Sequence, residues 1–117
     1  MFKKIAGLFR KEPALVTGTG KLKEGHSKII SFGDVLAGTG VQVMLTRKNG
    51  ELTAIDAVCP HQGALMDDGE LVDGEYVVCP LHMYHFDPKS GAERSQQCGP
   101  SRTFKVRDLG DDAEIWI

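Results

Sequence analysis

The feature that most constrains this chain is a pair of short motifs that each contain one cysteine and one histidine. The first is "CPH" at residues 59–61 and the second is "CPLH" at residues 79–82. The side chains at issue are Cys59, His61, Cys79 and His82. Two thiolates and two imidazoles form a donor set for a metal ion or a metal cluster. The fold must therefore bring together two loops that are well separated in the sequence.

The remainder of the sequence has the rhythm of strands and turns. Short apolar runs alternate with Gly, Asn and Asp, and the chain contains 14 glycines. In "VQVMLTRKNGELTAID" the β-prone runs 41–46 and 51–55 flank Asn49-Gly50, which suits a tight hairpin turn with positive φ. "GEYVVCP" and "TFKVRD…AEIWI" indicate further strands, the last two joined through "LGDD". The predicted fold is all-β, a small antiparallel sandwich or partly open barrel with the two motifs on loops at strand ends.

The length of 117 residues predicts one small domain, without room for a separate catalytic domain. We expect a basic amphipathic segment at residues 1–13 and a single domain at residues 14–117. Within the segment, Phe2, Ile5, Leu8 and Phe9 could line one face of a short helix that ends before Pro13. Packing on its own domain is the expected role, and contact with an anionic membrane surface or a partner is the alternative. No apolar run is long enough to cross a membrane.

The charges exclude one class of partner. The net charge is −2, and residues 49–88 contain no Lys or Arg but eight Asp and Glu residues. Binding to nucleic-acid phosphates needs the opposite sign, so a nucleic-acid partner is not expected.

The apolar stretch near the start is too short for a signal peptide. Two of the three cysteines lie in the motifs, and Cys98 has no obvious disulfide partner. These features predict a cytoplasmic protein.

The spacing of the candidate ligands distinguishes two kinds of metal site. Zinc fingers usually group two cysteines at x2–4 spacing and two histidines at x3–5 spacing. In this chain each motif pairs one Cys with one His, which is the mixed ligand set of a centre with two thiolates on one iron and two imidazoles on the other. A zinc-bound interaction module remains the alternative for the same four side chains.

The sequence resembles the Rieske-type [2Fe–2S] ferredoxins over about residues 41–117. The resemblance is most specific in "CPHQGALMDDG", "VVCPLHMYHFDPKSG" and the closing "FKVRDLGDDAEIWI". It implies a cluster-binding subdomain with two ligand loops and one [2Fe–2S] cluster. Cys59 and Cys79 would bind the buried iron, and His61 and His82 the iron near solvent.

The same resemblance implies an electron carrier without catalytic residues of its own. Its partners would be a reductase that donates electrons and an oxygenase or related enzyme that accepts them, and a freestanding carrier would be a monomer. The alternative is a small Rieske subunit of a larger reductase such as an assimilatory nitrite reductase.

The residues after the second motif predict a low reduction potential. High-potential members of the family place a Ser and a Tyr there to donate hydrogen bonds, whereas this chain has Tyr84 and Phe86 at the corresponding positions. With fewer hydrogen-bond donors and many acidic residues nearby, the reduced cluster is stabilised less. This predicts a reduction potential of roughly −150 mV and not one near +300 mV. Met83 stands where most ferredoxin-type members have Gly, and this departure concerns the geometry of the loop and not the ligation.

Overall fold

The computed structural model describes residues 12–34, 36–61, 63–81 and 83–117. The segment predicted to form an N-terminal helix, including Phe2, Ile5, Leu8 and Phe9, lies outside the described residues. The described part contains nine strands and one turn of 3-10 helix at Thr19–Lys21. The strands are β1 (Ala14–Val16), β2 (His26–Phe32), β3 (Val41–Lys48), β4 (Glu51–Asp56), β5 (Asp67–Val72), β6 (Tyr76–Cys79), β7 (Tyr84–Phe86), β8 (Thr103–Asp108) and β9 (Ala113–Trp116).

The strands form an open antiparallel arrangement in the order β1-β9-β8-β4-β3-β2-β5-β6-β7. Every described strand pairing is antiparallel. The all-β prediction is therefore confirmed. Within the described ranges, no helix has the length and apolar character that crossing a membrane requires.

The β3–β4 hairpin forms where the sequence predicts it. Asn49 has φ 55° and Gly50 has φ 76°. Two successive residues with positive φ are the requirement of a type I′ turn, whose twist matches that of the flanking strands. Lys48 pairs with Glu51 directly across this turn, so both strands continue slightly beyond the predicted runs.

Two hydrophobic cores lie on opposite faces of the central strands. Along β3 the side chains alternate, so that Met44 packs into one core while Val43 and Leu45 pack into the other. We call the first the thiol core, because it also contains Cys59 and Cys79; its other members are Ile55, Ala57, Met66, Leu71, Val77 and Phe86. The second, the far core, also contains Leu52, Ala54, Phe104, Ala113 and Ile115.

Candidate metal centre

Strand pairing brings the two motif loops to the same end of a three-stranded unit. The first motif lies between β4 and β5, and the second connects β6 to β7. The start of β5 pairs with the end of β6 through Asp67 and Val78, and Cys79 pairs with Tyr84 across the second loop. The described residues of the two loops, 57–61 with 63–66 and 80–81 with 83, therefore lie at the same end of this unit.

The two motif cysteines lie side by side in the thiol core. Cys59 is 1% exposed, Cys79 is fully buried, and their side chains are within hydrogen-bonding distance of each other. Burial raises the pKa of the Cys79 thiol, and the adjacent Cys59 raises it further, although the Leu81 backbone N–H donates a bond that opposes this. Two adjacent buried thiolates need a cation between them, and a metal centre supplies it. The donor set thus fits a bound metal centre.

Backbone hydrogen bonds hold the first loop in a compact form. The Cys59 N–H donates to the Ala64 carbonyl at 2.7 Å, and the Gly63 N–H donates to the Cys59 carbonyl at 2.8 Å. A single β-bridge between Val58 and Leu65 closes the base of the loop. These contacts hold the backbone on both sides of Cys59 in place.

The cysteine and the histidine of the first motif differ in how deeply they are buried. Cys59 is buried whereas His61 is exposed, and the His61 ring packs edge-on against the ring of Tyr84, with centroids 5.3 Å apart and planes at 89°. This contact was not predicted from the sequence, because Tyr84 is the first residue of β7, which follows the other loop. His82, the fourth candidate ligand, lies outside the described residues.

Met83 adopts the backbone conformation that glycine favours. Its φ is 56°, in the left-handed region, and its side chain is 61% exposed. Met83 therefore keeps a glycine-like backbone conformation although the residue has a side chain. A non-glycine residue in this region is unfavourable by about 1–2 kcal/mol.

A third loop, at residues 93–98, adjoins β7 and the thiol core and was missed by sequence reasoning. Glu93 is only 5% exposed, and its carboxylate accepts hydrogen bonds from the Ser95 N–H at 2.9 Å, the Gln97 N–H at 3.0 Å and the Ser95 hydroxyl. Burial raises the pKa of Glu93, but these bonds outweigh it and the pKa lies below its usual value. Glu93 thus stays ionised and closes the turn that places Cys98 against the thiol core.

The surface around the motifs is apolar at its tip and acidic beside it. Leu65, Leu81 and Met83, which we call the tip residues, are large, apolar and exposed on the two motif loops. Asp67 and Asp68 follow at the start of β5, and among the described residues neither takes part in an ion pair. Exposed apolar groups beside acids are typical of a protein-docking surface.

Within the described ranges, no three His, Cys, Asp or Glu side chains converge on a point that could hold a single metal ion. A centre with two irons needs only two protein ligands on each. The paired thiols of Cys59 and Cys79, with His61 at the exposed tip, match such a divided ligand set.

The sequence and the fold of this chain are similar to those of known proteins. The family described as "Rieske [2Fe-2S] domain" matches residues 14–105. The ferredoxin component of the naphthalene 1,2-dioxygenase system of Pseudomonas putida is 43% identical over 61 residues, covering 50% of this chain and 58% of the relative. The chain thus matches little more than half the length of that relative.

A longer match is with the ferredoxin component of the biphenyl 2,3-dioxygenase of Rhodococcus jostii (strain RHA1). It is 32% identical over 97 residues, covering 76% of this chain and 90% of the relative. Among solved structures, the ferredoxin of carbazole 1,9a-dioxygenase from Nocardioides aromaticivorans IC177 superimposes with a TM-score of 0.71 and 28% identity. That superposition covers 89% of this chain and 96% of the other.

Proposed function

This chain belongs to the Rieske [2Fe–2S] domain family, and on that premise we propose that it is a one-electron carrier, a ferredoxin that supplies an oxygenase or a related redox enzyme. Family membership implies one [2Fe–2S] cluster of the Rieske type. The observation that carries the proposal is the pair of adjacent buried thiols, Cys59 and Cys79, together with an exposed His61 on the same loop as Cys59.

The proposed ligands divide by depth. Cys59 and Cys79 would hold the inner iron within the thiol core, and His61 together with His82 would hold the outer iron. The bound cluster supplies storage for a single electron. The role of the chain is to shield the inner iron with apolar side chains and to present an imidazole at the surface, which shortens the path for electron transfer to a partner.

We further propose that the potential is at the low end of the Rieske range, roughly −150 mV. Phe86 is fully buried in the thiol core and has no group that could donate a hydrogen bond to a cluster sulphur. Met66 and Leu71 are its buried apolar neighbours there, while Asp67 brings negative charge close to Cys79. An added electron is therefore stabilised by few donors and opposed by a nearby carboxylate.

The partners proposed are a reductase and an acceptor that each present an apolar patch rimmed by basic residues. The tip residues would form the centre of the contact, and Asp67 and Asp68 would steer a basic partner towards it. The carrier is proposed to be a monomer in the cytoplasm, where its three free cysteines stay reduced when unligated. The names of the relatives favour a ferredoxin over a subunit of a nitrite reductase.

The test is an anaerobic titration of the purified protein with dithionite, followed by oxidation with a catalytic amount of a compatible oxygenase and its substrate. We expect one electron per chain on reduction and the return of that electron to the acceptor. A chain that takes up no electron, or that elutes only with a large partner and transfers none in its absence, contradicts the carrier assignment.

Matched variants test the ligand assignment in the same assay. Cys59→Ser should abolish electron uptake, whereas Cys98→Ser, which alters a thiol packed against the same core, should retain it. His61→Ala should lose the cluster, while His85→Ala should keep it, because His85 packs against Tyr76 and Arg94 and not at the tip. Equal losses within either pair would contradict the assignment.

A further inference from the structure

Tyr84 connects the two motifs that supply the proposed ligands. It is the first residue of β7 and pairs with Cys79 across the β6–β7 ladder. Its ring lies edge-on to the ring of His61, with centroids 5.3 Å apart. A single residue is therefore in register with the cysteine of the second motif and in contact with the histidine of the first.

The sheet and the thiol core fix the position of Tyr84. Side chains alternate along a strand, so Tyr84 and Phe86 lie on the same face of β7. Phe86 is fully buried in the thiol core, and Tyr84 is half-buried and packs against that core. Moving the Tyr84 ring away from His61 would expose part of this apolar surface, which is unfavourable. The Tyr84 ring is thus held in place independently of His61.

His61 lies on a loop whose described hydrogen bonds act on the backbone. The N–H groups of Cys59 and Gly63 donate within this loop, and the His61 side chain is exposed. An exposed imidazole can occupy several rotamers, and fixing one of them for an iron costs conformational entropy. The neighbouring Tyr84 ring occupies space that some of these rotamers need. Contact with this ring therefore lowers the entropy that a ligand bond to His61 would cost.

We propose that Tyr84 is a positioning residue, which holds the His61 ring in the orientation that binding to the outer iron requires. The assignment rests on the proposed function, because it takes His61 as a ligand. The contact joins two rings with planes at 89°, so a phenyl ring should serve as well as the phenol. An edge-on aromatic pair of this kind favours its geometry by a factor of roughly two to ten in an equilibrium constant.

A second aromatic contact, on the other face of β6 and β7, serves as an internal control. His85 lies between Tyr84 and Phe86 and therefore points away from the thiol core. Its ring is 5.9 Å from the ring of Tyr76, with planes at 31°, and the Arg94 guanidinium lies 4.9 Å over the Tyr76 ring. Loss of the Tyr76 ring removes an aromatic side chain from the same strand pair without touching a proposed ligand.

The experiment measures iron release from full-length, cluster-loaded variants that have been reduced anaerobically with dithionite, in the presence of ferrozine, which chelates ferrous iron. We expect Tyr84→Leu to release iron about tenfold faster than the unchanged protein, because groups that orient a metal-bound histidine affect metal retention to this degree. Tyr84→Phe and Tyr76→Leu should each stay within about twofold of the unchanged protein. Far-ultraviolet circular dichroism establishes that each variant is folded. If Tyr84→Leu is not, Tyr84→Met takes its place, because the flexible methionine side chain fills irregular gaps.

Electron paramagnetic resonance of the reduced variants separates positioning from packing. The shape of the reduced signal depends on how the ligands are oriented, so Tyr84→Leu should shift its g values, whereas Tyr84→Phe and Tyr76→Leu should not. Faster iron release with an unchanged spectrum would show a packing role alone and overturn the proposal. Equal release rates for Tyr84→Leu and Tyr76→Leu would also overturn it, as would a Tyr84→Phe variant that behaves like Tyr84→Leu.

The unchanged protein distinguishes a failure of this role from a failure of the proposed function. If it contains no [2Fe–2S] cluster, the proposed function fails. If it contains the cluster and Tyr84→Leu retains the same release rate and spectrum, only the positioning role of Tyr84 is overturned.

Discussion

Replacing Gly91 by alanine should destabilise this protein far more than the same change at a glycine of identical conformation. Gly91 has φ +76°, and a Cβ built there lies 2.2 Å from the backbone oxygen of Ser101. Gly25 also has φ +76°, but a Cβ there has nothing within 4 Å. Each glycine donates one described backbone hydrogen bond and accepts one, so the two sites differ chiefly in the space available.

The magnitude follows from two contributions. A left-handed φ is unfavourable for alanine by about 1–2 kcal/mol, of which roughly 0.4–1 kcal/mol is offset because alanine restricts the unfolded chain. Gly25→Ala should therefore lower the free energy of unfolding by about 1 kcal/mol. At Gly91 the backbone at Ser101 must also move, and overpacking of this kind adds about 1–3 kcal/mol. The total for Gly91→Ala is about 3 kcal/mol.

The displacement should also reach the metal centre. Ser101 donates its hydroxyl to the Asp56 carbonyl at 3.1 Å, and the Asp56 N–H donates to the Arg102 carbonyl at 2.8 Å. Asp56 ends β4, shortly before Cys59. A shift of Ser101 therefore disturbs the strand end that precedes the first motif, and we expect Gly91→Ala to contain less iron after purification than Gly25→Ala.

The assay is anaerobic urea unfolding of the cluster-loaded proteins, followed by visible absorbance and by the fluorescence of Trp116. A slope of about 1.5 kcal/mol per M urea for a domain of this size converts 3 kcal/mol into a midpoint lower by about 2 M. Gly25→Ala should lower the midpoint by less than about 1 M. Equal midpoints for the two variants would refute the contact between residue 91 and the Ser101 backbone.

Three further perturbations test other parts of the structure. Met83→Gly should change the free energy of unfolding by less than about 1 kcal/mol, because relief of the positive φ is offset by the flexibility of glycine; a thermal midpoint lowered by more than about 8 °C would contradict this. Glu93→Gln should destabilise the protein by about 1 kcal/mol at pH 7. Hydrogen bonds hold the pKa of Glu93 below its usual value, so its contribution to stability is present above the ordinary pKa of glutamate and is lost as the pH falls through the lowered pKa. The stabilities of the two proteins should therefore converge in acid-unfolding experiments. Arg47→Met should lower the free energy of unfolding in urea by about 2 kcal/mol, because the Arg47 side chain is 16% exposed and donates to the Thr19 and Leu22 carbonyls. Arg107→Met should lower it by less than about 1 kcal/mol, since that side chain is 63% exposed. Equal effects would contradict a stabilising role for the two Arg47 hydrogen bonds.

The features that could be predicted from the sequence are those determined by short, local stretches of the chain. The β3–β4 hairpin depends on Asn49-Gly50 and on the alternation beside it, both of which are local. The candidate ligands stand in two compact motifs, so the motifs could be found without the fold. The separation of buried Cys59 from exposed His61 also follows the depth that the family resemblance implies.

The features that could not be predicted depend on contacts between distant parts of the chain. The packing of His61 on Tyr84 requires the first motif loop to meet the start of β7. The 93–98 turn lies far from Cys59 in sequence although it adjoins the thiol core. The pairing of β2 with β5 skips the intervening hairpin, and no local pattern encodes it.

The proposed cluster has a divided ligand set, with two thiolates on one iron and two imidazoles on the other. An electron paramagnetic resonance spectrum of the anaerobically purified protein, recorded before and after dithionite, tests it directly. We expect a brown protein that is silent when oxidised and shows a rhombic signal when reduced, with an average g below the free-electron value. A colourless protein that contains zinc and stays silent after dithionite would contradict it.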